Sequence, residues 1–451
     1  MKHKQFTLVA LLALTFLLSA NQAAARTPGA GITTRVSVAS DGTQSNAHVD
    51  SFEISADGRY VAFATRANNL VSGDTNSTMD VFVHDRQTGQ TTRVSVSSKG
   101  WQATNHCEAP DISADGRYVA FQSAAVELVY PDDTNNHKDI FVHDRQTGST
   151  TRVSVSSLGT QANGASVNSA ISADGRFVTF SSWAANLVPF DLNARTDIFV
   201  HDRQMGETTL VSVASDGTQG NSDSIMPMIS GDGRYVTFYS TATNLVTGDT
   251  NSAGDIFLHD RQTGQTTRVS VASDGTQGNF GADTWHAISA DGRYITFESF
   301  SSNLVPGDTN GAQDIFVHDR QTGQMTRVSV ASNGTQQNGD AYVCAISGDG
   351  RYVAFDSYAS NLVSGDTNGV PDIFVHDRQT GQTTRVSVAS DGAQGNLDSA
   401  GASLSSDGRY VAFSSWANNL VSGDTNTYYD IFVHDRGAIP TNFLYLPLIL
   451  R

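Results

Sequence analysis

Three features of this sequence predict an all-β fold: a seven-bladed β-propeller of four-stranded antiparallel blades. An Asp-Gly-Arg triplet recurs at Asp57, Asp115, Asp174, Asp232, Asp291, Asp349 and Asp407, always 58 or 59 residues apart. A His-Asp-Arg triplet keeps step with it, starting at His84, His143, His201, His259, His318, His376 and His434. Beyond the first residues no stretch shows a helical period; short apolar or alternating runs are separated by turn residues. A fixed period of this size marks a repeat whose single unit cannot bury its own faces and so stacks on its neighbours.

Each unit reads as a meander. In the first, Phe52-Glu53-Ile54 ends an inner strand, and Asp57-Gly58 supplies the left-handed backbone of a tight hairpin. Tyr60-Val61-Ala62-Phe63 is almost wholly apolar, as suits a strand buried on both faces. After a polar loop from Ala64 to Met79, Val81-Phe82-Val83 makes a third buried strand. Gln87-Thr88-Gly89-Gln90 turns the chain, and Thr92-Arg93-Val94-Ser95-Val96 alternates as a half-exposed strand does. Seven such sheets, face to face around an axis, bury what one cannot. The first Thr-Arg-Val-Ser-Val, Thr34 to Val38, precedes the first Asp-Gly turn, and the last unit stops after Arg436 without that strand. The N-terminal strand is therefore expected to complete the seventh blade and remove an exposed edge.

The elements I-S-x-D-G-R-Y-V-A-F, D-I-F-V-H-D and T-G-x-x-T-R-V-S resemble the WD40-like (PD40) repeats of TolB-type propellers across all seven units. The resemblance is specific for fold and weak for activity. Such relatives include periplasmic scaffolds, propeller domains attached to peptidases, and a few lyases. No catalytic domain follows these repeats, so the resemblance implies the architecture and a binding role.

The ends read differently from the repeats. Lys2 and Lys4, the apolar run Phe6 to Leu18 and Ala23-Ala24-Ala25 form a signal peptide over residues 1–25, too short in its apolar core to span a membrane. The expected product is a monomer without a transmembrane segment, secreted or released to the periplasm. Residues 26–436 form the propeller, and 437–451 an apolar tail that caps one end or docks a partner. The net charge of −17 repels phosphate backbones, which excludes nucleic acid as a partner. Cys107 and Cys344 fall at non-equivalent offsets in the second and sixth units and read as packed free thiols.

Two sets of residues carry candidate chemistry. Every unit has Asp-x-Asn-x-x-x-Asp before its third strand: Asp74/Asn76/Asp80, Asp133/Asn135/Asp139, Asp191/Asn193/Asp197, Asp249/Asn251/Asp255, Asp308/Asn310/Asp314, Asp366/Asn368/Asp372 and Asp424/Asn426/Asp430. Alternating oxygen ligands with a later carboxylate suit Ca2+, although no acid stands at the fifth position and no closing Glu follows; local backbone capping is the competing explanation. The second set lies where the units disagree, at the start of the innermost strand: His48, Asp50 and Glu53; His106, Glu108 and Asp111; Asp283, Trp285 and His286; Asp340 and Tyr342. In a propeller these positions line one mouth of the central channel. Trp183, Phe300, Tyr358 and Trp416, three residues after the strand-two Phe, add aromatics nearby. The seven His-Asp-Arg triplets are expected to be structural, because catalysis needs a group once, not once per blade. No nucleophile motif or phosphate-binding glycine loop is present. The expected function is a non-enzymatic scaffold binding a protein or glycan at the channel mouth. A propeller-type lyase or hydrolase using His48, His106, Glu108 and His286 is the first alternative, and a purely structural exported protein the second.

Overall fold

In a computed structural model the described residues are 31–129 and 133–437; the expected leader and the tail beyond Gly437 lie outside them. The chain forms seven four-stranded antiparallel sheets. After the N-terminal strand β1 (Ile32–Arg35), the first blade runs β2 (Val49–Ile54), β3 (Tyr60–Thr65), β4 (Asp80–Asp85) and β5 (Gln90–Arg93), from the channel outwards. β1 pairs antiparallel with Asp430–Asp435, with Thr34 opposite Val433, and so completes the seventh blade as expected.

The core lies between blades. β3 and β4 are buried on both faces, and Phe63 stacks on Phe82 with ring centroids 5.9 Å apart, a pairing repeated in every blade down to Phe413–Phe432. The interface closing the ring packs Ala412, Ile431 and Val433 against Val61 and Phe63.

Three further contacts register each blade on the next. At the first hairpin, Gly58 has φ +72°, and a Cβ there would lie 2.1 Å from the ring of Tyr410, the residue that opens strand two of the seventh blade. The same seat recurs around the ring, Gly116 on Tyr60 and Gly233 on Phe177 among them. Only glycine combines that backbone with that approach. Arg guanidinium groups cover both faces of these rings: for Tyr60, Arg59 of its own blade at 4.7 Å and Arg145 of the next at 4.4 Å.

The second contact is a closed circle of backbone hydrogen bonds. Ala56 N–H donates to Ala114 O, Ala114 to Ala173, Ala173 to Gly231, Gly231 to Ala290, Ala290 to Gly348, Gly348 to Ser406, and Ser406 N–H back to Ala56 O at 2.8 Å. Strand-like spacing of about 4.8 Å between neighbours puts such a backbone ring at a radius of about 5.5 Å, which leaves room for water but not for a polypeptide. The channel is therefore constricted at the Asp-Gly-Arg end, and the opposite end, here termed the open mouth, has no such backbone circle among the described residues.

The third contact latches the outer edge and absorbs the His-Asp-Arg triplet. Thr91 Oγ1 donates to Val38 O (2.5 Å), so it must accept from His84 Nδ1 (2.9 Å), which fixes the imidazole tautomer. Asp85 takes a bidentate pair from Arg59 (2.9 and 2.7 Å), and Arg86 donates to Gly58 O (2.5 Å). The triplet is structural, as expected. Removal of β1 exposes the edge of Asp430–Asp435, and calorimetry of a chain lacking residues 26–38 is expected to show an unfolding midpoint lower by about 5 °C or more.

Candidate functional site

Strands one and three run from the open mouth to the constricted end and strands two and four run back. The loops after strand two and the crossovers between blades therefore gather at the open mouth. This face carries the candidate residues at the starts of the inner strands, and the exposed rings of Trp183, Phe300, Tyr358 and Trp416.

In four blades the residue just before the inner strand acts as a staple to the preceding blade; Ala165, Gly281 and Asp398 hold this position in the third, fifth and seventh. His48 Nδ1 accepts the Tyr429 N–H, and His106 Nδ1 the Met79 N–H, both at 2.9 Å. Asp223 accepts from Thr196 N–H and Asp340 from Gln313 N–H, again at 2.9 Å. His48 is further enclosed by Tyr428, Tyr429 and Trp416. Glu108 pairs with Lys138, and Asp50 is exposed at the irregularity between Val49 and Ser51. His286 is 2 % exposed in the wall of the fifth blade, its Nδ1 on Thr284 O at 3.0 Å. The structure therefore does not bring His48, His106 and His286 together: they serve three different blades, the first two as acceptors for backbone amides.

The fifth blade breaks the pattern. Its inner strand, Ala282–Ile288, is one residue longer than the others, and Gly281 stands where the staple residue would be. Gly254 faces it across the blade junction: a Cβ on Gly254 would lie 1.9 Å from Tyr239 Oη, and one on Gly281 would lie 2.9 Å from Gly254 O. The Ala282 N–H still donates to Gly254 O (2.9 Å), and beside this junction lies a cleft of about 680 Å³, walled by Tyr239, Phe280 and Phe300, with Asp283, Ser302 and Gln313 as polar groups. Phe280 and Phe300 are 60 % and 47 % exposed, a setting that suits a ligand rather than a core.

The inner strands are bulged, and Ala109, Asn168, Met226 and Val343 sit at φ between 40° and 55°. The freed amides turn to the fifth residue of strand two in the preceding blade: Asn168 N–H donates to Gln122 Oε1 (2.8 Å), and Gly401 N–H to Asp356 Oδ1 (3.4 Å). In the fifth blade that residue is Glu298. Sequence reasoning missed Glu298 and Asp356 because both lie inside the apolar strand-two motif; the signal was an acid straight after the Phe in only two of seven copies. Burial pushes Glu298 up to about 8, helped by the charges of Asp283 and Asp356. Burial also pushes Asp356 up to about 7. Glu53 and Asp111, which face one another from the first and second inner strands, are both raised, Glu53 by burial and then by Asp111.

The loops of the calcium expectation are closed by hydrogen bonds of their own. Asn76 turns its amide NH2 to Asp80 Oδ2 and Ala103 O (both 2.8 Å), and its carbonyl takes the Thr78 N–H, so the side chain caps the loop instead of facing a cation. The other asparagines of the motif are committed in the same way. Asn135 donates to Asp139 (2.9 Å) and Ala162 O (3.0 Å), and accepts from His137 N–H (2.7 Å). Asn310 donates to Asp314 (3.1 Å) and Gln337 O (3.3 Å), and accepts from Ala312 N–H (3.2 Å). Asn368 donates to Asp372 (3.2 Å) and Gly395 O (3.0 Å), and accepts from Val370 N–H (3.3 Å). Asn426 donates to Asp430 (2.9 Å) and Ser45 O (3.1 Å), and accepts from Tyr428 N–H (3.2 Å). Asn251 donates to Gly278 O (3.2 Å) and accepts from Ala253 N–H (3.1 Å). An asparagine that presents its NH2 to the carboxylate repels a cation from the space between them. All seven loops thus show the local capping that is the competing explanation for the motif.

The carboxylates are committed as well. Ser95 occupies the other Asp80 oxygen at 2.5 Å. Arg93 Nη1 then bridges Asp74 (3.3 Å) and Asp80 (3.5 Å). The equivalent arginine does the same at Asp133/Asp139, Asp249/Asp255, Asp308/Asp314, Asp366/Asp372 and Asp424/Asp430. Only Asp191/Asp197 lacks it, Leu210 standing in its place, and there Asn193 still donates to Asp197 at 2.7 Å and accepts from Arg195 N–H. Among the described residues no group of three or more His, Cys, Asp and Glu side chains is placed to hold a metal.

Two measurements check this account. Chelator is expected to leave the calorimetric midpoint unchanged, while Arg327→Leu costs about 1–3 kcal/mol in denaturant unfolding by leaving Asp308 and Asp314 uncompensated. In a pH series, folded Glu298 and Asp356 keep protons that the unfolded chain has lost, so their contribution fades as pH rises through about 7 to 8. The buried imidazoles of His84, His143, His201, His376 and His434, pushed down to about 4, act oppositely below pH 6.5. The midpoint is expected to peak near pH 6.5 and fall by pH 8.5, and Glu298→Gln flattens that fall.

No protein-family model matches the sequence, and no curated protein matches it. Solved structures match in fold. An oligogalacturonate lyase from Vibrio parahaemolyticus overlays with TM-score 0.53 at 13% identity, covering 89% of this chain and 93% of that one. The β-propeller domain of the Trilobed protease from Pyrococcus furiosus, described as having an open velcro topology, overlays with TM-score 0.52 at 13% identity, covering 90% and 98%. TolB from Acinetobacter baumannii overlays more loosely, with TM-score 0.42 at 15% identity, covering 73% of this chain and 64% of that one. Likeness at this level is likeness of architecture: the chain is a seven-bladed β-propeller with its last blade closed by the N-terminal strand, the fold its PD40-like repeats imply.

Proposed function

We propose that this chain is an exported, non-catalytic binding propeller that takes a protein or glycan ligand at the open mouth. The cleft at the fifth blade carries the reading. It lies at a junction where Gly281 stands in place of a side-chain staple, and its exposed rings stand beside Asp283 and Gln313. A few oriented polar groups among aromatics on a rigid scaffold is the usual make-up of a recognition site. Export rests on the leader over residues 1–25; no helix among the described residues is long and apolar enough to cross a membrane.

The lyase or hydrolase alternative has weaker support. General acid–base chemistry asks for histidines and carboxylates within reach of one another, and His48, His106 and His286 are held apart in separate blades. A polyuronate of the kind named for the Vibrio neighbour would also meet an acidic mouth, with Asp283, Asp340 and Asp398 at the starts of the inner strands.

Peptide and glycan arrays probed with the mature chain test the proposal. In a Phe280→Ala/Phe300→Ala variant, affinity for the retained ligand is expected to drop about tenfold or more. Met205→Ala, on a turn at the constricted end, is expected to leave it unchanged. Equal binding by the double variant, or a ligand footprint on the constricted end, overturns the reading.

A further inference from the structure

We propose that the side of the mouth between the fifth and sixth blades recognises a cation, specifically the primary alkylammonium of a lysine side chain. The inference rests on the mouth being the binding face, and adds what the ligand must present there.

Charge pairing in this chain is systematic. The repeat aspartates sit against arginines, Asp85 on Arg59 and Asp74 with Asp80 on Arg93. None of the ion pairs among the described residues includes Asp283, Glu298, Asp340 or Asp356. These four nevertheless converge. Gln313 holds two of them at once, its Nε2 on Asp283 Oδ2 (3.3 Å) and its N–H on Asp340 Oδ1 (2.9 Å). Glu298 lies in the field of Asp283 and Asp356 and beside the amides of Trp285 and Val343. It is 1 % exposed, and its Oε2 is buried with no hydrogen-bond partner. An unpaired buried carboxylate oxygen costs free energy that an arriving cation returns.

The aromatic side chains suit the same guest. Tyr342 donates to Asp340 Oδ2 (3.3 Å) and meets Tyr358 edge-on at 6.3 Å, while Trp285 is 44 % exposed two residues along from Asp283. Ring faces next to carboxylates attract an ammonium twice over, by quadrupole and by charge. Asp283 and Asp340 meet the guest, and the buried Glu298 and Asp356 strengthen the field beneath it. The chain's overall −17 draws cations towards the surface in the first place.

The site is also sensitive to pH. Besides Asp356, the titratable groups facing Glu298 are Asp283, Tyr342 and Cys344, with Asp340 bonded to Tyr342 beyond them. The ammonium stays charged to about pH 10. Binding therefore favours the ionised carboxyls, releases protons to solvent, and tightens as pH rises from about 6 to 9.

The chain has four tryptophans, so 15N-indole spectra give four resonances, and Trp285→Phe assigns the one at the site. The probes are Nα-acetyl-lysine amide and its neutral isostere, Nα-acetyl-norleucine amide. The lysine compound is expected to shift the Trp285 resonance and the norleucine compound to leave it in place. Glu298→Gln or Asp356→Asn is expected to weaken the lysine response about fivefold or more, while Asp223→Asn, at the fourth blade, leaves it unaltered. No Trp285 shift with the lysine compound, or equal affinity in both carboxylate variants with unchanged melting, overturns the inference. An array ligand that binds at the mouth, lacks basic groups and ignores Glu298→Gln overturns it alone; absence of any mouth ligand overturns the binding reading itself.

Discussion

Each blade is aligned on its neighbour by a turn glycine seated on the ring that opens the preceding blade's second strand. The contact is unforgiving: any side chain at Gly58 would drive into Tyr410, and the φ of +72° there disfavours one in any case. The two guanidinium groups on each ring depend on this seat, and the backbone circle just inside it needs the same distance between turns. Phe177 does the work of its tyrosine counterparts, so the ring face is what matters, not the hydroxyl. Repetition of this unit seven times leaves the scaffold little freedom and frees the mouth to vary.

The mouth varies by subtraction as much as by addition. Six inner strands keep a common length, and at several blade junctions a His or Asp side chain pins the blade behind. The fifth blade inserts one residue and has Gly281 in place of a pin, leaving the backbone bond from Ala282 N–H to Gly254 O to join the blades. It also carries Met325 where other blades have the latch threonine, which leaves His318 Nδ1 without a partner. Two lost contacts thus fall in one blade, next to a cleft and a set of uncompensated carboxylates.

Most of the architecture was readable in advance because periodicity carries it. The inner three strands, ring closure and structural role of the His-Asp-Arg triplet follow from residues recurring at fixed offsets, but the outer strand expected over Thr92–Val96 forms earlier, at Gln90–Arg93, because the chain leaves the ladder after Arg93. The site was less readable, for specific reasons. The Asp-x-Asn-x-x-x-Asp loops read as a cation loop in sequence, where neither the bond from the Asn76 amide to Asp80 nor the approach of Arg93 from the outer strand is visible. His48 and His106 look like reactive groups, but their distinguishing partners are backbone amides of another blade, which no local pattern reveals. The bulges that bring Glu298 and Asp356 to neighbouring inner strands leave no mark in composition: Ala109, Asn168, Met226 and Val343 share position and nothing else.

The hydrogen-bonded circle at Ala56 to Ser406 has a geometric consequence for any guest. It narrows one end of the lumen to a width that passes water and not a polypeptide, so a protein strand cannot be threaded through and ratcheted along. A protein guest could enter only as a protruding tip, a side chain or a free end, lowered in and withdrawn by the same door, while displaced water drains through the ring.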